Sequence, residues 1–169
     1  SPKQDVNITE TIISGREKET ARLERIEQNK KLKEVTIFTS KNMKMCEESI
    51  KTLKNEGIKF KEIKIEGSDE KWDKVVYTTN MSLFPTIVVD NNYLVFQRDF
   101  KNTNQLVQLI QYYAKPSLKS EVDNIKLFET LKTQTYHLHQ QISQLENKLN
   151  PVMKFLTDLK NQLTEEDSE

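Results

Sequence analysis

One side chain in this sequence is able to act as a thiolate nucleophile, Cys46, within Met43-Lys44-Met45-Cys46-Glu47-Glu48-Ser49. A cysteine attacks a disulfide, or holds a soft metal, only where its surroundings favour the charged form. Glu47 and Glu48 oppose that charge, so a buried structural cysteine is the first reading of Cys46 and a redox-active thiol the alternative. Met43, Met45 and Met81 are soft donors, but methionines grouped in this way more commonly fill a core or form an adaptable contact surface. His137 and His139 stand two apart on a helical pattern and diverge, with no cysteine nearby, so no metal site is expected. A lone cysteine excludes an intrachain disulfide and a multi-cysteine zinc site. Lys30-Lys31-Leu32-Lys33 fits a solvated helix end, where cations are favoured, better than an RNA contact.

The elements that position these residues come from a chain of 169 residues, 35% hydrophobic, with 26 basic and 26 acidic side chains. That is enough apolar material for one modest core. Balanced charge gives no electrostatic case for nucleic acid or a membrane surface. No apolar run approaches the roughly 18–20 residues of a membrane span. A single cysteine fits a reducing compartment inside the cell. Ser1 in place of a methionine suggests a processed or trimmed start, and Ser1 to Thr11 lacks the apolar stretch of a signal peptide.

Up to about Glu34 the chain is a charged helix with a thin stripe of Ile12, Leu23 and Ile26, and Ser14-Gly15-Arg16-Glu17 has capping-box spacing for its start. Next, Val35 to Thr39 is β-branched and aromatic, as in a strand. Residues 43–56 place Met43, Cys46, Ile50 and Leu53 at helical spacing before Gly57, and 58–65 alternate as a strand. Residues 69–79 suit a helix with Trp72, Val75 and Val76 inward. Pro85 to Asp90 and Tyr93 to Phe96 form a hairpin about Asn91-Asn92. Residues 102–114 close with a helix carrying Leu106, Leu109 and Ile110, ending before Pro116.

From 118 to 166 a heptad runs through Phe128, Leu131, Thr135, Leu138, Ile142, Leu145, Leu149, Val152, Leu156, Leu159 and Leu163. Pro151 interrupts the backbone but not the phase, so one rod kinked near Pro151 is expected rather than a hairpin. Met153 and Phe155 widen the apolar stripe beyond it.

The βαβαββα order, with a proline opening the third strand, resembles the glutaredoxin branch of the thioredoxin-like fold over residues 34–115. In that family Cys-x-x-Cys or Cys-x-x-Ser opens the first helix, whose N-terminus lowers the pKa of the first thiol. The resemblance puts Met43 at the nucleophile and Cys46 at the second, resolving position. It makes Pro85, in Leu83-Phe84-Pro85, the cis-proline of the family's Thr-Val-Pro. The loop lysine falls at Ser40, beside Lys41. The Gly-Gly-x-x-Asp glutathione turn has no counterpart in Val95-Phe96-Gln97-Arg98-Asp99. The other register, Cys46-Glu47-Glu48-Ser49 as the monothiol Cys-x-x-Ser, shortens the helix to Gly57 by about one turn.

The expected architecture is therefore α/β: an N-terminal charged helix and tail over 1–33, a glutaredoxin-like domain over 34–115, and a C-terminal coiled coil over 116–169. The expected function is a scaffold or adaptor without cofactor or metal, contacting protein partners through Met45 and Phe84, beside the degenerate positions Met43, Cys46 and Pro85. Leu138, Ile142, Leu145 and Leu149 would pair with a partner or a second copy. A divergent monothiol oxidoreductase using Cys46 is the alternative.

Overall fold

The computed structural model describes residues 2–120 and 122–168, with side chains described over 11–120 and 122–167. Its centre is β1 (Val35–Ser40), whose run of β-branched and aromatic residues is buried on both faces. Parallel to β1 lies β2 (Phe60–Ile65), in register from Val35↔Phe60 to Ser40↔Ile65. On its other side β3 (Thr86–Val89) pairs antiparallel, followed by β4 (Asn92–Val95). The sheet order is β2-β1-β3-β4.

Period-2 alternation divides the core between the two sheet faces. Val35 and Ile37 point to one side, where α2 (Lys44–Asn55) and α4 (Thr103–Tyr113) bring Leu53, Leu106 and Ile110. Phe38 points to the other, with Trp72 and Val75 of α3 (Glu70–Thr79) and Tyr93 of β4. Val76, expected inward, is only partly buried. Caps fix the helix starts: the Asp69 carboxylate accepts from the N–H groups of Lys71 at 2.8 Å and Trp72 at 3.1 Å, and Asn102 accepts from that of Gln105 at 2.9 Å.

Gly57 ends α2 in a conformation only glycine takes at no steric cost, φ +69°. A Cβ there would also lie 2.9 Å from Ile26 Cγ2, so this glycine lets a second helix approach. That helix is α1 (Pro2–Asn29). It is anchored by Arg25, whose guanidinium meets Glu56 at 2.7 Å, and by Asn29, which donates to the Glu56 carbonyl at 2.8 Å and accepts from Gln111 at 3.1 Å.

Three expectations need correction. The capping box at Ser14 does not start a helix, because α1 runs through Ser14 and Gly15. Residues upstream are helical too, and one glycine in an exposed helix costs only about 1 kcal/mol. The hairpin turn is Asp90-Asn91, one residue early, since Asn92 already pairs with Val89. Asp90 takes the positive φ, +52°, which its short polar side chain tolerates. The last helix, α5 (Ile125–Ser168), begins later than 118. Before it the chain is tied to the hairpin turn: Lys33 Nζ reaches both Asp90 at 2.6 Å and the Leu118 carbonyl at 3.0 Å, and Ser120 Oγ accepts from Asn91 N at 3.2 Å. Through Pro151 α5 stays a single helix.

Candidate thiol site and the α5 joint

The chain leaves β1 at Ser40, turns at Asn42 with φ +60°, and enters α2 at Met43. Met43 is the N-cap residue, extended at φ −110°, ψ 117°, and its thioether makes no capping hydrogen bond. Cys46 is the third helical residue. It faces inward and is 3% exposed. Burial pushes its thiol pKa up, and Glu62 and Glu47 add to that, against a backbone hydrogen bond with Ser40. A cleft of about 400 Å³ opens beside it, floored by Cys46, Ile50 and Thr39 and rimmed by Lys41, Lys54 and Glu62. Glu62 is engaged there as acceptor from Thr39 Oγ1 at 2.8 Å.

The Phe84–Pro85 peptide is cis. Since Phe38 pairs with Thr86, the antiparallel register brings Pro85 level with Thr39, at the end of β1 that feeds Met43. Met43 and Met45 are half-buried, as is Phe84, whereas Pro85 is buried. Phe84 stacks on Trp72, ring centroids 4.2 Å apart and planes inclined 20°, so part of its surface is already spent inside the core. The alternative Cys-x-x-Ser register puts both partners on the inner face of α2: Ser49 is fully buried and its Oγ has no hydrogen-bond partner.

Residues 35–94 match the glutaredoxin family model. That span runs from β1 through β4 and contains Met43, Cys46 and cis-Pro85. None of the curated proteins matches the chain. Within the glutaredoxin domain a thiol is present, but it lies inside the helix and the N-cap position carries a thioether.

A second polar site sits where the domain meets α5, and sequence reasoning missed it. Arg98, with 1% of its side chain exposed, lies 2.7 Å from Asp99 Oδ2 and 2.7 Å from Glu129 Oε2. It also donates to the Tyr93 carbonyl at 3.1 Å and to Thr133 Oγ1 at 3.3 Å. Burial alone would lower the Arg98 pKa, but hydrogen bonding and charge from Asp99 and Glu129 outweigh it and raise the value. Thr133 in turn donates to the Thr79 carbonyl at 2.6 Å, and Asn80 donates to Thr130 at 3.2 Å. Asp99 accepts from Val95 N at 2.8 Å, and Gln97 takes φ +73° in this turn. The available signal was Ile125, Glu129, Thr133 and Tyr136 at helical spacing, opposite the heptad stripe; three polar residues of four concealed it as a docking face.

The heptad residues lie on the other side of α5. Leu138, Ile142, Leu145 and Leu149 are each at least half exposed. His137 and His139 are exposed too, and no group of three metal-ligating side chains occurs among the described residues. No helix among them is long and apolar enough to cross a membrane.

Proposed function

We propose that this chain is a glutaredoxin-type scaffold that binds protein partners and performs no thiol–disulfide exchange. The observation that carries this is the pairing of Met43 at the N-cap of α2 with a single thiol buried one turn further on. Exchange needs a thiolate that reaches the disulfide along the line of its S–S bond and is later released by a second thiol. A thioether does neither, and the buried Cys46 thiol is disfavoured as a thiolate. The Asp99 carboxylate is already held by Arg98 and the Val95 N–H, and offers little to a glutathione amine. Partner contacts would come from the half-buried Met43, Met45 and Phe84 and from the exposed stripe of α5, which includes Leu138, Ile142, Leu145 and Leu149. Reduction of a glutathione mixed disulfide, measured for the wild-type chain and for Cys46→Ser, tests the reading. Rates equal to the uncatalysed background in both are expected. Turnover by the wild type that Cys46→Ser abolishes would establish the monothiol oxidoreductase instead.

A further inference from the structure

We infer that the exposed stripe of α5 closes on the same stripe of a second copy of this chain, parallel and in register, with the two glutaredoxin domains on the outside of the coil. This rests on the scaffold reading and names its partner. The first support is where the domain sits. Taking Phe128 as position a of the heptad puts Leu131, Leu138 and Leu145 at d. The residues that hold the domain are then Glu129 and Tyr136 at b, Thr130 at c, and Lys126 and Thr133 at f, the outer side of the helix, with Ile125 at e only where α5 begins. Lys126 lies 3.1 Å above the Tyr77 ring, Thr130 bonds Asn80, and Thr133 bonds the Thr79 carbonyl. A domain attached to the outer side leaves the a/d stripe open. Two copies joined along that stripe therefore hold their domains on opposite outer sides, without competition for space.

Area is the second support. The ten apolar stripe residues from Phe128 to Leu163 are each 42–58% exposed. Pairing two such stripes removes on the order of 1,500–2,000 Å² from water, the size of a stable protein interface.

Charge and side-chain branching supply the third. In a parallel pair each g residue faces the e residue five positions later on the other helix. The resulting pairs are Leu127 with Lys132, Gln134 with His139, Gln141 with Glu146, Lys148 with Met153, Phe155 with Lys160, and Gln162 with Asp167. No like charges meet. The three exposed apolar residues of α5 outside the stripe, Leu127, Met153 and Phe155, are 56%, 59% and 65% exposed. Each gains a lysine, whose stem covers an aliphatic chain or a thioether or whose ammonium lies against a ring. In the two heptads after Phe128, β-branched Thr135 and Ile142 at a alternate with Leu131, Leu138 and Leu145 at d, the combination that favours two parallel strands.

Light scattering on the full chain, combined with cross-linking, tests this. At tens of micromolar a dimer of twice 19.9 kDa is expected. Ile142→Asp combined with Leu145→Asp should weaken it at least a hundredfold, leaving the thermal transition of the domain unchanged. Leu163→Cys should form an intermolecular disulfide under mild oxidation, because only parallel, in-register pairing brings the two 163 positions together; the wild type, with Cys46 buried, is the control. A monomer, a higher oligomer, a dimer that survives the aspartate variant, or a dimer without the 163 cross-link overturns the inference. These outcomes leave the scaffold reading standing, with another chain on the stripe. Cys46-dependent mixed-disulfide reduction would remove the scaffold reading and leave the dimer.

Discussion

Two places where this chain buries polar chemistry are built in opposite ways. At the start of α2 one thiol is enclosed, its neighbours disfavour its charge, and the residue ahead of it offers no donor or acceptor of consequence. At the α5 joint a guanidinium is enclosed by two carboxylates, a hydroxyl and two carbonyls, and the helix it holds extends well beyond the domain. Burial suppresses ionisation at the first site. At the second, partners compensate it, so charge persists inside the protein. In this chain, then, the closely arranged polar contacts lie at the attachment of a neighbouring element and not at the start of α2.

Removing one member of the buried ion pair should have the largest effect. Glu129→Ala leaves Arg98 with one carboxylate fewer and should cost about 3–5 kcal/mol, read as a drop in urea midpoint. Amide exchange should rise first around residues 125–136. Exchanging the whole set, as Arg98→Met with Glu129→Leu and Asp99→Asn, leaves no charge stranded and should cost much less. If the single and triple variants lose the same stability, the ion pair is not what holds α5.

The reactive end can be challenged by adding what it lacks. A cysteine introduced by Met43→Cys stands at the helix N-cap, where N–H groups favour a thiolate. It should alkylate at neutral pH at least about tenfold faster than native Cys46. Equal rates would mean that the α2 N-terminus does not polarise its cap residue.

Smaller effects belong to the frame. Gly57→Ala forces an L side chain into φ +69° and pushes its Cβ toward Ile26, for about 1–2 kcal/mol of lost stability. Asp69→Ala removes the cap of α3 and should cost about 1 kcal/mol. Both are read from denaturant unfolding, and neither should alter thiol reactivity.

Much of the frame was visible in the residues. Val35 to Thr39 and Gly57 carry local signals that do not depend on partners, and β1 and the end of α2 fall where those signals point; the cis peptide at Pro85 falls where the family resemblance puts it. Ser14-Gly15-Arg16-Glu17 misled because a capping box marks a start only if the chain before it is not helical. Asn91-Asn92 was one residue off because Asp90 accepts a positive φ as readily as asparagine. The joint was hidden for a different reason. Arg98, Glu129 and Thr133 look like ordinary surface residues in sequence, and only their convergence in space, across 31 and 35 residues of chain, shows them as a buried set. The heptad is the converse case: its period is plain along the chain, while the side of α5 that it occupies depends on where the domain docks.

The thiol itself allows the most direct measurement. Alkylation of Cys46 in the folded wild type, followed against pH and compared with the urea-unfolded chain, reports its folded-state pKa. A raised folded pKa means that the native state holds the proton more tightly. Its contribution to stability is complete below the ordinary thiol value and is lost as pH rises through the raised one. The expected result is slow native reaction at neutral pH, accelerating only above the pH at which the unfolded thiol titrates, with stability falling over the same alkaline range and less so in Cys46→Ala. Rapid alkylation at neutral pH with a midpoint below that of the unfolded chain would contradict a silent thiol site and return Cys46 to catalysis.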